Sequence, residues 1–213
     1  MFRQISIGLA ALLSGTILAG CFDSQNRSQD ALDEARFSNA DVIVSGPEGY
    51  CIDRTSLRRR GEENFALIAS CHSLSGGTKG MPQAPVLVSV SIGPSGEGTP
   101  LPSAVQIAKL AKAPLLTQQK VDGLVLARLG TSARDFLNGK DAHNWRGVFT
   151  LNGHLISMSL YAPKGSAYAA TAGGDFLERT RTRITQLSAA DPESQTQTAS
   201  SKAGFLAKLF GDI

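Results

Sequence analysis

Asp141 and His143 are the residues whose types and spacing come closest to acid–base chemistry. A carboxylate beside an imidazole can orient the ring so that it accepts a proton from a nucleophile. The chain has three histidines in all and lacks the G-x-S-x-G, S-x-x-K, H-E-x-x-H and P-loop patterns. The pair supports one hypothesis, an envelope hydrolase acting on cell-wall or lipid material with an unidentified nucleophile. A polar loop without chemistry is the other interpretation, and we assign no catalytic residue.

A second cluster that could do chemistry is basic. It comprises four arginines, Arg54, Arg58, Arg59 and Arg60. Guanidinium groups could bind phosphate, lipid headgroups or an acidic polymer by bidentate hydrogen bonding. Acidic residues lie in and beside the same segment, so a solvated loop with neutralised charge is the alternative. We predict possible anion binding there.

The first 20 residues have the pattern of a cleaved signal peptide. Arg3 supplies a positive charge, and residues 5–18 are apolar without a charge. Spanning a hydrocarbon core of ~30 Å takes about 20 apolar residues. This shorter run therefore favours a leader that is removed over a transmembrane helix. A buried N-terminal helix is the alternative.

The sequence Leu18-Ala19-Gly20-Cys21 ends the apolar run and resembles the lipobox of bacterial lipoproteins. The resemblance covers only the leader and Cys21. It implies cleavage before Cys21, diacylglycerol on its sulfur and acylation of the new amino group, for example with palmitate; several acyl chains anchor a protein stably. Phe22 stands where an inner-membrane retention signal has Asp, so the resemblance implies the outer membrane, with the domain facing the periplasm.

The two remaining cysteines, Cys51 and Cys71, form an even pair. In an exported chain such a pair is most simply a disulfide, which would stabilise the fold by roughly 3 kcal/mol in the chain-entropy model. The spacing is not C-x-x-C and the nearby ligand type is His72, so a metal or redox pair is the weaker interpretation. We predict a disulfide and neither a metal site nor a cofactor.

Composition and charge restrict the partners. The formal net charge is +3, and charged residues make up 18% of the chain, with opposite signs mostly interspersed. This mild charge does not favour nucleic acid as a partner. The lipobox predicts contact with a membrane through Cys21, and an envelope protein or polymer is the partner class that remains. The oligomeric state is not predicted.

The elements that must position these residues are mainly strands. Runs typical of strands occupy residues 42–44, 50–52, 65–71, 85–92 and 121–129, and residues 54–63 are interpreted as a charged loop. Ser103 is a candidate N-cap for a helix over residues 104–112, and residues 175–187 have the pattern of an amphipathic helix. Residues 30–37 could form a short helix, with ordered structure starting near Asp41.

Asn152-Gly153 gives the clearest local prediction. The pair separates two β-like runs, residues 145–151 and 154–161, and both turn positions accept positive φ. The pattern predicts a hairpin with Trp145 as a core anchor and His154 facing solvent; a ligand platform is the alternative role for Trp145.

The order of elements predicts an α+β fold. We expect an antiparallel sheet with helices packed on one face, clamped by the disulfide, with flexible N- and C-terminal segments. The hairpin over residues 144–162 followed by the helix over residues 175–187 is similar to the layout of small sandwich domains of the PsbP/Mog1 kind, on element order alone.

The predicted organisation has five parts: a signal peptide (1–20), a lipidated polar tether (21–40), the α+β domain (41–188), a disordered linker (189–201) and a short amphipathic helix (202–213). That last helix could meet a membrane or a partner, or fold back onto its own domain. The sequence predicts a membrane-anchored envelope lipoprotein acting as a non-enzymatic binding or assembly component, with the hydrolase as the alternative.

Overall fold

The structure is a computed structural model that describes residues 30–38, 41–60, 63–96, 100–131 and 139–190. Its strands are β1 (Ala31–Leu32), β2 (Ala35–Phe37), β3 (Val42–Val44), β4 (Tyr50–Asp53), β5 (Arg58–Arg60), β6 (Glu63–Ser70), β7 (Leu87–Ser95), β8 (Leu115–Val121), β9 (Leu124–Leu129), β10 (Asn144–Leu151) and β11 (His154–Tyr161). Its helices are α1 (Cys71–Leu74), α2 (Ala104–Ala111) and α3 (Ala172–Ala190).

One mostly antiparallel sheet dominates the described residues. Its strands follow the order β1-β4-β6-β7-β11-β10-β9-β8, with β5 also paired to β6. Strands β2 and β3 form a separate two-stranded ribbon. Each observed pairing is antiparallel. The sheet-dominated α+β prediction is therefore confirmed.

The central hairpin forms as predicted. Leu151 pairs with His154 across Asn152-Gly153, and the register continues to Trp145 opposite Leu160. Asn152 and Gly153 have φ values of 50° and 80°, which is the conformation that a two-residue turn of this type requires. Trp145 is 1% exposed, and its Nε1 donates to the carbonyl oxygen of Ala170 at 2.7 Å. The core role of Trp145 is confirmed.

Helix α3 covers one face of the sheet. Phe176, Leu177 and Ile184 lie in the main core with Trp145 and Phe149 of β10. The ribbon β2–β3 packs against the same helix, where the Ser188 hydroxyl accepts a hydrogen bond from the Ile43 amide at 2.9 Å. Side chains alternate between the faces of a strand, and this face receives most of the apolar ones.

Helix α2 lies on the opposite face, so the prediction that the helices share one face is wrong. Alternate residues of β9 divide between two clusters: Leu124 and Leu126 join the core under α3, whereas Val125 and Ala127 pack with Ile107 of α2. Strand β9 is apolar at four successive positions before Arg128, a pattern that suits burial on both faces.

The folded domain also starts earlier than predicted. Ala31, Ala35 and Phe37 are 2% to 4% exposed and lie in β1 and β2, so residues 30–38 belong to the domain instead of to a tether or a short helix. Polar residues separate these apolar positions and conceal them in a scan for hydrophobic runs.

Two further local predictions are wrong. The charged segment 54–63 is not a loop throughout, because a 3-10 turn over Arg54–Ser56 leads into β5, which pairs with β6. Residues 121–129 are not one strand, because Asp122 and Gly123 have φ values of 43° and 78° and join β8 to β9 as a hairpin.

Four predicted features lie outside the described residues: the leader, Cys21, residues 191–201 of the linker and the C-terminal amphipathic segment.

Candidate functional site

The cysteine pair lies at one margin of the sheet. Cys51 on β4 and Cys71 at the start of α1 form a disulfide, with a Cα–Cα distance of 4.7 Å. The bond lies in a small cluster with Ala31 and Leu74. It therefore joins the first turn of α1 to β4, next to the strand that begins the domain, and the predicted pairing is confirmed.

Lys79 reinforces the same margin. Its ammonium group lies 2.8 Å from the Asp33 carboxylate and donates to the carbonyl oxygen of Ala31 at 3.1 Å. The loop after α1 is thereby held to the start of the domain. This is a structural arrangement, since these contacts join two segments of the chain.

The predicted arginine patch is split by strand alternation. The guanidinium carbon of Arg58 lies 6.0 Å from the centroid of the Phe65 ring. The guanidinium carbon of Arg59 lies 5.3 Å from the centroid of the Phe37 ring. Phe37 belongs to the core on the α3 side, and Phe65 points to the other face. Arg54 is exposed in the 3-10 turn, and the side chain of Arg60 is outside the described part. Arg58 and Arg59 are not brought together around one anion, and anion binding at the patch stays a prediction.

Asp141 and His143 do come together. The His143 Nδ1 lies 3.1 Å from Asp141 Oδ1, and the same carboxylate accepts hydrogen bonds from the amides of His143 at 2.9 Å and Gly165 at 2.8 Å. These backbone donors, Gly165 first, lower the pKa of Asp141 below its ordinary value of 3.8. The carboxylate thus ties the loop before β10 to the loop after β11.

This pair lacks the rest of a catalytic arrangement in the described residues. Among the described residues, no serine, threonine or cysteine forms a hydrogen bond with the His143 ring, and the side chain is 43% exposed. A base in a hydrolase needs a nucleophile within hydrogen-bonding reach. The observed geometry is that of a loop tie, and the hydrolase stays a prediction.

Two surface depressions lie elsewhere. One, of about 490 Å³, runs between α3 and the turn at Pro47 and Glu48, and carries charges of both signs. The other, of about 500 Å³, lies between the start of α2 and strand β8. There Ser103 and Gln106 form a capping box, in which each side chain accepts a hydrogen bond from the other residue's amide. Neither depression includes a predicted site residue.

His154 is buried, which corrects the prediction of a solvent-facing residue. It is 4% exposed, its Nδ1 donates to the carbonyl oxygen of Gly93 at 2.8 Å, and its Nε2 lies 3.8 Å from Asp41. A register shift between β11 and β7 at this point places the ring over Gly93. Among the described residues, no group of three or more His, Cys, Asp or Glu could hold a metal ion.

The side of the sheet opposite α3 has a part that α2 does not cover, here named the open face. Two cross-strand rows cross it, Arg146–Ser159–Ser89–Leu67 and Val148–Ser157–Ser91–Phe65. Ser91 and Ser157 are exposed, and Leu67, Ser89 and Phe65 are half-buried. Polar and apolar side chains are therefore mixed on an accessible surface.

Arg146 is a charged residue of the open face that the sequence interpretation did not single out. Its Nη1 donates to Ser159 Oγ and its Nη2 to the Tyr161 hydroxyl at 2.9 Å, while the guanidinium carbon lies 5.4 Å from the Tyr161 ring centroid. Lys140 lies on the same ring, with Nζ 5.8 Å from its centroid. The hairpin register could have located this cluster, because a turn at 152–153 places residue 146 opposite residue 159.

The described residues contain no helix with the length and hydropathy needed to cross a bilayer. No family model matches the chain, and no curated protein matches it. A solved structure of a mutant of protein Mog1 is similar, with 13% identity and a TM-score of 0.39 over 72% of this chain and 89% of that one. At that TM-score the likeness carries no argument about fold or function.

Proposed function

We propose that the protein is an exported lipoprotein, anchored to the outer membrane through lipid on Cys21, whose domain faces the periplasm and acts as a non-enzymatic binding or assembly component. The observation that carries the proposal is the sequence Leu18-Ala19-Gly20-Cys21 directly after a short apolar run. The partner on this proposal is an envelope protein or polymer.

The disulfide supports export. A Cys51–Cys71 bond persists in oxidising compartments and is rare in a reducing cytosol. With those two cysteines bonded, Cys21 is the remaining thiol in the chain. The same cysteine follows the small residues that a lipoprotein leader would have at its cleavage site, so lipid and disulfide account for all three cysteines.

The open face supports a binding role. It presents polar and apolar side chains without a helix of the described residues over its central strands, and the Asp141–His143 pair is occupied in tying two loops. A domain with an accessible sheet face is suited to binding, and no nucleophile is hydrogen-bonded to His143 among the described residues. The finer arrangement, a polar tether before residue 30 and an amphipathic helix over residues 202–213, is part of this proposal.

The test is the intact mass and detergent partition of the protein isolated from envelopes. We expect a chain that lacks residues 1–20, carries diacylglycerol and acyl groups on Cys21, and enters the detergent phase. Cys21→Ala is expected to remain unprocessed and unlipidated. The double variant Cys51→Ala/Cys71→Ala is the matched control, because it loses two cysteines and is expected to keep the lipid.

An unmodified Cys21 in mature protein would refute the anchor. The hydrolase alternative has its own test, since His143→Ala would abolish any turnover of envelope material. If the domain only binds, neither the wild type nor His143→Ala turns over envelope material. Partners are then expected to crosslink equally to the two proteins.

A further inference from the structure

The Arg146 cluster contains hydrogen-bond donors without matching acceptors. Arginine offers five N–H groups and accepts none, so the hydroxyls of Ser159 and Tyr161 must accept where Arg146 contacts them. Each hydroxyl then directs its own proton elsewhere, and neither donates to an acceptor within the described residues. Among the described residues, the Arg146 Nε has no hydrogen-bond partner; it is buried, so it adds to the imbalance of the cluster without being open to a ligand itself.

The charge of Arg146 is also unbalanced locally. No carboxylate of the described residues lies within 4.0 Å of its guanidinium group. Its contacts are to two neutral hydroxyls and to the Tyr161 ring. A half-buried cation with an unpaired donor is destabilising unless an anion offsets it.

We propose that Arg146, Ser159 and Tyr161 bind the phosphate group of a ligand at the open face. A phosphate supplies several acceptor oxygens on one centre, and these can accept from the Nη N–H groups of Arg146 that Ser159 and Tyr161 leave unused and from the protons of those two hydroxyls. Ser159 is 9% exposed, so it would form the base of the site. Charge-assisted hydrogen bonds of this kind are stronger than neutral ones. Partial burial strengthens them further because the local dielectric constant is below that of water.

The surroundings of the cluster suit a ligand larger than the phosphate itself. Ser89 lies opposite Ser159 on the next strand, and Ser157 and Ser91 lie in the adjacent row, exposed. These hydroxyls can bind further polar groups along the sheet. The inference gives a ligand class to the binding role proposed above and rests on it, but it does not depend on lipid at Cys21.

The experiment is calorimetric titration of the full chain, in non-ionic detergent at low ionic strength, with inorganic phosphate. We expect Arg146→Gln to weaken binding about 10-fold or more, since one charged donor is lost. Arg128→Gln is the matched control: Arg128 is also half-buried, on the neighbouring strand, but its Nε donates to the carbonyl oxygen of Ala169. Its phosphate affinity is expected to stay within about 2-fold of the wild type.

Tyr161→Phe keeps the ring and removes one hydroxyl donor, so it is expected to weaken phosphate binding by about 3-fold or more. It decides the question if Arg146→Gln does not fold. The proposal is overturned if the wild type binds phosphate no better than chloride, or if Arg146→Gln and Arg128→Gln lose equal affinity. Either result would leave the mass and partition test of Cys21 unaffected.

A second titrant separates the sources of phosphate. Glycerophosphoglycerol is the soluble headgroup of an anionic phospholipid and carries a phosphodiester. Tighter binding of this diester than of inorganic phosphate, lost in Arg146→Gln, would assign the site to lipid headgroups. Binding of inorganic phosphate alone, with the same dependence on Arg146, would assign it to free phosphate or a monoester.

Discussion

The two faces of the sheet differ in what covers them. The face under α3 is closed by that helix and by the β2–β3 ribbon, and its side chains include Ile68, Trp145 and Phe149, each at 0% or 1% exposure. The opposite face is closed by α2 at the β8–β9 end, whereas its central strands carry serines and half-buried apolar residues.

This difference suggests that the α3 face supplies most of the folding stability, whereas the open face is available for binding a ligand. Burial of apolar area supplies most of the folding free energy, so the α3 face must carry it. The open face is free to present Arg146 and its hydroxyl neighbours, since few core contacts depend on them. Substitutions on the two faces of one strand therefore test the comparison directly.

The largest expected effect comes from adjacent residues of β6. Ile68 is fully buried in the core under α3, and Leu67 points to the open face. Ile68→Ala is expected to lower the free energy of unfolding by about 2–5 kcal/mol, because it removes buried methylenes and leaves a cavity. Leu67→Ala serves as its control and is expected to lose only about 1 kcal/mol. Urea denaturation of both variants measures the contrast, and equal losses would contradict it.

A second prediction concerns pH on the closed face. Burial, followed by the neighbouring Tyr168, raises the pKa of Tyr50 from 10.0 to about 12, while its hydroxyl donates to the carbonyl oxygen of Ala84 at 3.0 Å. The folded state disfavours the tyrosinate, so stability is complete below pH 10 and is lost as the pH rises towards 12. We expect this loss to be on the order of 2 kcal/mol.

Tyr50→Phe cannot ionise at this position and is expected to show a shallower decline over the same pH range. Urea midpoints of both proteins from pH 9 to 11.5 measure the difference. Parallel curves would mean that Tyr50 ionises as easily in the folded chain as in the unfolded one.

The smallest expected effect concerns the loop tie beside the open face. The pKa of Asp141 is lowered in the folded state, so its contribution is present above the ordinary value of 3.8 and is lost as the pH falls through the folded pKa. Asp141→Asn is expected to destabilise the protein by about 1 kcal/mol at neutral pH and less as the pH falls below about 4.

Asp122→Asn is the matched control for this loop tie. Asp122 also occupies a turn, but its side chain is 89% exposed beside Arg181, so its replacement is expected to change stability by less than about 0.5 kcal/mol. Denaturation at pH 7 and pH 3 compares the two. An Asp141→Asn loss that is independent of pH would show that the carboxylate charge does not matter.

The features that followed from sequence were those set by local chemistry. Asn152-Gly153 determined a turn type and with it the register of two strands, and Ser103 marked the start of α2. The disulfide followed from an even cysteine pair. In each case a few neighbouring residues contain the whole physical cause.

The features that were missed depend on distant partners or on a signal that was passed over. Asp122-Gly123 is a hairpin turn of the same kind as Asn152-Gly153, but β8 before it is polar and does not resemble a strand. Ala31 is buried against the disulfide and Leu74, and Phe37 is buried in the main core, so both depend on residues distant in sequence. The position of α2 on the opposite face depends on the alternation within β9, which divides its side chains between two clusters.

The candidate site divides in the same way. Residue types alone pointed to Asp141 and His143, which the fold places in contact but uses to join loops. The Arg146–Ser159–Tyr161 cluster needs no motif, only the register that the turn determines and the alternation of side chains. The predicted hairpin register already places Arg146 opposite Ser159, so the cluster follows from it.

The three arginines of β5 also bear on self-association. Strand β5 pairs with β6 on one side, and no described strand pairs with its other side; the opposite end of the sheet is β8, which carries Lys120 beside two glutamines. A strand edge with unpaired amides and carbonyls invites another chain to add a strand, and cationic side chains oppose that addition. Two copies meeting through β5 would bring like charges together. The positive charge along β5 and at Lys120 of β8 therefore disfavours strand addition at these two edges of the sheet.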